Sequence, residues 1–144
     1  MKKILVINGP NMNMLGIREP GIYGSESYEM LCIKIEQKAQ ELDCQVEFFQ
    51  SNGEGAIIDE IQAAYGEFDG IIINPAAYTH YSYAIHDAIK AVGIPTIEVH
   101  ISDIHSRESF RHESVILPAC IGQVAGLGFD SYTVALEKLL NETN

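Results

Sequence analysis

The chain has 144 residues, 47% of them hydrophobic and 20% charged, a balance ordinary for one packed domain and too apolar for a disordered segment. Twenty acidic residues against nine basic ones give a formal charge of −11, which argues against a nucleic-acid-binding face and against docking on anionic lipid. No apolar run nears the roughly 18 residues of a membrane span. Only Ile4 to Ile7 separate Lys2-Lys3 from Asn8-Gly9-Pro10, short of the ~7–15 apolar residues of a signal peptide, so a cytoplasmic protein is expected.

Residues 2–8 (KKILVIN) form a short apolar run stopped by Gly9-Pro10, the pattern of a buried strand. From Ser27, a candidate N-cap, the apolar positions Tyr28, Leu31, Cys32, Ile35, Ala39 and Leu42 recur at helical spacing. Cys44 to Gln50 predicts a second strand, and Ile57, Ile58, Ile61 and Ala64 a second helix. Asp69 to Asn74 reads as a third strand. Tyr81, Ala84, Ile85, Ala88 and Val92 mark a third helix, ended by Gly93 with Pro95 beyond it. Thr96 to Val99 is a fourth strand, Cys120 to Leu127 contains a fifth, and Tyr132, Ala135, Leu136, Leu139 and Leu140 close the chain with an amphipathic helix.

This alternation predicts a single α/β domain over residues 1–144, a five-stranded parallel sheet with helices on both faces. Five strands fit the flavodoxin-like order 2-1-3-4-5. In such a sheet ligands bind beyond the carboxyl ends of the strands where the order reverses, here between strands 1 and 3 with strand 4 alongside. Two connections, residues 9–26 and 100–119, are long for a compact domain, and such loops are usually functional.

The loops leaving strands 1, 3 and 4 gather Asn11, Asn13, Arg18 and Tyr23; Asn74, Tyr78 and His80; and His100, Ser102, Asp103, His105, Arg107 and Arg111. All three arginines of the chain lie there, while the six lysines lie elsewhere. Cations gathered at one mouth of an acidic protein point to an anionic ligand, for which the guanidinium fork is suited. The competing reading is that they pair with Glu19, Glu108 and Glu113. Glu98 and His100 stand two apart at the end of a strand, so they share a face, and the carboxylate can orient the imidazole. A histidine satisfied by its surroundings is the plain alternative.

Phosphate-cradling motifs are absent: Gly9-Pro10-Asn11 lacks the Walker pattern, and no GxGxxG follows strand 1. Five histidines show neither HExxH nor Cys/His spacing, so no metal site is expected. Cys32, Cys44 and Cys120 read as reduced cysteines serving as small hydrophobes, with a nucleophile or a disulfide as the lesser readings. A non-catalytic receiver or ligand-binding module remains the rival class. A receiver would want acidic residues after strand 1 and a lysine after strand 5, where this chain has Asn8 and Leu127-Gly128.

The segments GPNMNMLGIREPGIYG (9–24), QSNGEG (50–55), NPAAYTH (74–80), EVHISDIHSRESFRH (98–112) and GLG (126–128) together resemble type II 3-dehydroquinate dehydratase, in order and spacing over nearly the whole chain. The resemblance implies anti elimination of water from 3-dehydroquinate to 3-dehydroshikimate through an enolate, without cofactor, metal or Schiff base. Tyr23 is similar to the base that takes the proton from C2, and Arg18 to the cation that favours tyrosinate. Asn11 is similar to the residue holding a water on the enolate oxygen, and His100 to the acid for the departing hydroxyl, oriented by Glu98. Asn74, His80, Ser102 and Arg111, with the backbone of Ile101 and Ser102, resemble the substrate ligands. Asp87 resembles an aspartate that reaches a neighbouring subunit's site, since members assemble as trimers grouped into dodecamers.

The chemistry is coherent on its own terms. A phenol ionises near pH 10, so serving as a base at neutral pH takes roughly 4 kcal/mol of charge stabilisation, within reach of an arginine in a dry site. No lysine stands in the active-end loops, which disfavours an imine. The chain departs from the family at Ala76, where glycine is common, at Gly53, where histidine is common, and at Asp103, where asparagine is usual; the last adds negative charge near the expected carboxylate pocket. Met12 and Met14 replace leucines and should change only packing.

Overall fold

Short β-branched runs form the sheet, and amphipathic helices seal it. The computed structural model describes residues 1–17 and 26–143. Its strands are β1 (Lys3–Asn8), β2 (Gln45–Gln50), β3 (Gly70–Asn74), β4 (Thr96–His100) and β5 (Gly122–Ala125). Its α-helices among the described residues are α1 (Tyr28–Glu41), α2 (Glu54–Ala63), α3 (Tyr83–Val92) and α4 (Asp130–Thr143). All strand pairs are parallel and the order is β2-β1-β3-β4-β5, as the alternation predicts.

Side chains alternate across the sheet, so each central strand feeds two cores. Ile4, Val6, Ile72, Ile97 and Val99 pack with Leu31 and Ile35 of α1 and Tyr132, Leu136 and Leu139 of α4. Leu5, Ile7, Ile71 and Ile73 pack with Ile57 and Ile61 of α2 and Ile85 and Ile89 of α3. Sandwiching explains why β3 is an unbroken run of isoleucine: Ile71, Ile72 and Ile73 are all fully buried. Each such side chain contributes about 1.5–3 kcal/mol of transfer free energy. No helix among the described residues is long and apolar enough to cross a membrane.

Local signals set the ends of the elements. The Ser27 Oγ accepts from the Met30 N–H at 3.1 Å and starts α1, as its sequence position implies. Tyr81, grouped with the third helix by spacing, stands outside it. The Ser82 Oγ accepts from the Ile85 N–H at 3.1 Å, so α3 begins after Ser82, and residues Ala76–His80 form a separate 3-10 turn. Gly93 ends α3 in the left-handed conformation, φ 68°. The 100–119 connection is likewise structured, with 3-10 turns at Ile104–Ser106, Ser109–Arg111 and Leu117–Ala119.

Candidate active site

Register places the carboxyl ends of β1 and β3 level, Asn8 opposite Asn74, with His100 closing β4 beside them. The loops that follow enclose one cleft. It is lined by Asn11 and Met12 after β1, by Asn74, Ala76 and His80 at β3, and by His100, Ile101, Ser102, Arg107 and Arg111 at β4. Seven of the expected site residues are thus brought together: Asn11, Asn74, His80, His100, Ile101, Ser102 and Arg111. Arg18 and Tyr23 lie outside the described residues. Asp87 stands exposed on α3, its carboxylate 3.0 Å from the His86 Nδ1, and is not among the residues lining the cleft.

The β1 and β3 loops touch at Gly9. Its N–H donates to the Asn74 carbonyl at 2.8 Å, and an added Cβ would stand 2.7 Å from the Pro75 carbonyl oxygen. The β2 loop braces the same wall. The Asn11 N–H donates to the Asn52 Oδ1 at 2.9 Å, the Gln50 Nε2 to the Gly9 carbonyl at 3.1 Å, and the Tyr78 hydroxyl to the Asn52 carbonyl at 2.8 Å. Asn11 holds a left-handed φ of 70°, tolerable for asparagine, and its side chain is left to line the cleft rather than to cap the following turn.

Glu98 and His100 do share a face, and Glu98 Oε2 meets the His100 Nε2 at 2.5 Å. A carboxylate accepts, so Nε2 carries the proton and Nδ1 is the nitrogen left for other work. Glu98 is fully buried, yet its carboxylate is surrounded by donors: the Thr79 hydroxyl reaches Oε2 at 2.8 Å and the Ser114 hydroxyl reaches Oε1 at 2.7 Å. Burial alone would raise the Glu98 carboxyl. The hydrogen bonds from His100, Ser114 and Thr79, with the His100 charge, outweigh burial and hold it below the ordinary carboxylate range. An ionised carboxylate behind the ring compensates a positive charge on it, which is what an acid at Nδ1 needs.

His80 has the opposite character. Its Nδ1 lies 2.7 Å from the Glu113 carbonyl, which can only accept, so Nδ1–H donates and Nε2 offers a lone pair. Burial first, then the neighbouring His100 and Arg111, hold this imidazole below its ordinary range against the opposing pull of that hydrogen bond. A neutral His80 accepts a hydrogen bond from a hydroxyl. Arg111 pairs in part as the alternative reading had it: its Nε donates to Glu108 at 2.7 Å. That exposed contact is screened by solvent and uses one of five N–H donors.

The departures find places too. Ala76 holds φ 53°, the left-handed region where glycine is at ease. Asp103 does not line the cleft; its carboxylate caps the next turn, accepting from the His105 N–H at 2.9 Å, a task asparagine does equally well. At Gly53 a Cβ would make only ordinary contacts. The three cysteines are free thiols, and burial beside Glu98 pushes Cys120 up to about 12, which suits a packing role.

Sequence reasoning passed over Thr79, Ser114 and Asn52, whose hydrogen bonds hold the named residues. It also counted Tyr132 only as a core apolar position. Thr79 stood inside the NPAAYTH motif (74–80) with no sign of its task; Ser114 carried no signal at all.

The family model described as dehydroquinase class II matches residues 2–140. A protein of Caldicellulosiruptor bescii named 3-dehydroquinate dehydratase is 70% identical over 140 residues, covering 96% of this chain and 97% of its own. The crystal structure of type II dehydroquinase from Butyrivibrio crossotus superposes with a TM-score of 0.95 at 56% identity, covering 96% of this chain and 97% of that one. That from Propionibacterium acnes gives 0.94 at 42% identity, covering 98% and 97%. Matched along almost its entire length in sequence and in fold, the chain belongs to the dehydroquinase class II family.

Proposed function

We propose that this chain is a hydro-lyase that converts 3-dehydroquinate to 3-dehydroshikimate by anti elimination. The observation that carries the reading is the cleft at the ends of β1, β3 and β4, where the Glu98–His100 pair meets Asn11, His80, Ser102 and Arg111. Tyr23 as tyrosinate, favoured by Arg18, takes the proton from C2. The electron pair moves into the C3 carbonyl, and Asn11, through a water, steadies the enolate oxygen. The enolate collapses, the C1 hydroxyl leaves, and His100 protonates it through Nδ1 to give water. The Arg111 guanidinium and the backbone of Ile101 and Ser102 take the carboxylate. His80 Nε2 and Asn74 take hydroxyls.

Asp87 is exposed on α3 and is not among the residues lining its own chain's cleft, which supports a role across a subunit boundary in trimers grouped as a dodecamer. Sedimentation at low and high protein concentration tests that assembly. The reading places the enzyme in the cytoplasm.

The deciding experiment follows the conjugated enone product by absorbance. Wild-type protein should turn over 3-dehydroquinate and stay active after borohydride is added with substrate, because no lysine stands in the active-end loops to form an imine. Tyr23→Phe should lose at least roughly a hundredfold in kcat, the range of a removed general base. No product from the wild type, or borohydride inactivation, overturns the reaction; near wild-type kcat in Tyr23→Phe overturns the base.

A further inference from the structure

Behind the cleft, on the α1 and α4 side of the sheet, a line of buried polar groups crosses the core. The Ala76 N–H donates to the Asn74 Oδ1 at 3.0 Å. The Asn74 Nδ2 donates to the Tyr132 hydroxyl oxygen at 2.9 Å. That hydroxyl donates to the Asn8 Oδ1 at 2.5 Å, and the Asn8 Nδ2 reaches the Tyr28 hydroxyl at 3.5 Å. Tyr132, Asn8 and Asn74 are at most 4% exposed.

The direction of this line is forced. A backbone N–H can only donate, so Asn74 must turn its oxygen toward Ala76 and its NH2 toward Tyr132. Tyr132 has one proton, and with Asn74 donating to it that proton goes to Asn8. Reversing the Asn74 carboxamide would set its NH2 against the Ala76 N–H and leave the buried Asn8 oxygen without a donor. Ala76 holds a left-handed φ of 53° that favours glycine, so its turn depends on being held. The second N–H of Asn74 lies toward the Met12 Sδ, 3.6 Å from Nδ2, and Met12 also lines the cleft.

We propose that Tyr132 is a positioning residue for this cleft: from helix α4 its hydroxyl fixes the orientation of the Asn74 carboxamide and so holds the Asn74–Ala76 turn against the substrate. The inference rests on the proposed reaction for its kinetic consequence, but not for its structural one. Tyr132 touches neither substrate nor reacting atoms and acts through Asn74. A displacement of a binding group by a fraction of a side-chain rotation is enough to weaken the hold on substrate, because hydrogen-bond geometry is demanding.

The test is a double-mutant cycle with Tyr132→Phe and Asn74→Ala, read as kcat and KM well below the melting temperature, alongside backbone hydrogen exchange at Ala76. Tyr132→Phe should lower kcat/KM by about fivefold or more, chiefly through KM, and speed exchange at Ala76. In the Asn74→Ala background the same substitution should change kcat/KM by less than about twofold. A loss of thermal stability with kcat/KM and Ala76 exchange unchanged shows a purely structural hydroxyl and overturns the inference. Equal losses in both backgrounds overturn it as well. Should Tyr132→Phe fail to fold, Asn8→Ser, too short to take the Tyr132 proton, should move both readouts the same way, and no movement counts against the proposal. Wild-type protein without turnover of 3-dehydroquinate would sink the reaction alone, since exchange at Ala76 still decides the positioning role.

Discussion

Ser114 braces the Glu98–His100 pair from the far side of the carboxylate. Its hydroxyl gives its proton to the Glu98 Oε1 while its oxygen accepts from the Ile116 and Leu117 N–H groups at 3.2 and 3.0 Å. Ser114→Ala removes a donor from a fully buried carboxylate, a loss of about 1.5–3 kcal/mol for a hydrogen bond to a charged group. Urea denaturation should register that fall in unfolding free energy, and a change under about 0.5 kcal/mol would mean that water replaces the hydroxyl. Ala76 poses the opposite case. Its left-handed φ of 53° costs roughly 1–2 kcal/mol for a residue with a Cβ. Glycine would relieve that but gain about 0.4–1 kcal/mol of freedom in the unfolded chain. Relief of the strain outweighs that freedom, so Ala76→Gly should stabilise by about 0.5–1 kcal/mol and raise the melting temperature by a few degrees. An unchanged or lower melting temperature would show that neighbouring groups already absorb the strain.

Strands and helices were legible because their apolar periods, two and three to four, are local properties of the chain. Ser27 and Gly93 announced real ends for the same reason. The hydrogen bonds that hold the site are not local. Tyr132 lies 124 residues from Asn8 and 58 from Asn74, so nothing near position 132 marks its hydroxyl as anything but a polar tip on a core ring. From the residues alone, the Glu98–His100 spacing and the arginine-rich loops pointed to the cleft; resemblance supplied the rest, and Tyr23 and Arg18 lie outside the described residues. Gly9 shows how much a loop junction asks of one position. Alanine there would drive its Cβ to 2.7 Å and 2.9 Å from the Pro75 carbonyl atoms, which are backbone and cannot swing aside. The β1 and β3 loops would have to part, and the 2.8 Å bond from Gly9 to Asn74 would lengthen. Gly9→Ala should therefore cost about 1–3 kcal/mol, as overpacking does, and should lower kcat/KM together with stability because both loops wall the cleft. Full activity with lowered stability would show that the cleft tolerates the separation.

At the scale of the whole molecule, the two ionisable groups that matter to the cleft pull stability the same way as pH changes. His80 is held neutral in the folded chain, its imidazole below the ordinary 6.5. As pH falls through 6.5 the unfolded chain takes a proton that the folded chain refuses, so stability drops there and levels off below the folded value. Glu98 is held ionised, below the ordinary 4.5. Its contribution is complete above 4.5 and is lost as pH falls through the lower folded value, when the paired carboxylate must at last be protonated. Acidification should therefore lower stability in two stages, one that begins near 6.5 on account of His80 and one that begins near 4.5 on account of Glu98. Urea midpoints across that range, at one protein concentration so that any association stays fixed, resolve the stages. His80→Asn should flatten the decline that begins near 6.5 while leaving the lower one, and Glu98→Gln should flatten the lower one while leaving the first. A wild-type midpoint that stays level from 6.5 down to 4.5 would mean that the imidazole is not held neutral as the geometry requires, and one that stays level well below 4.5 would mean the same of the donor-ringed carboxylate.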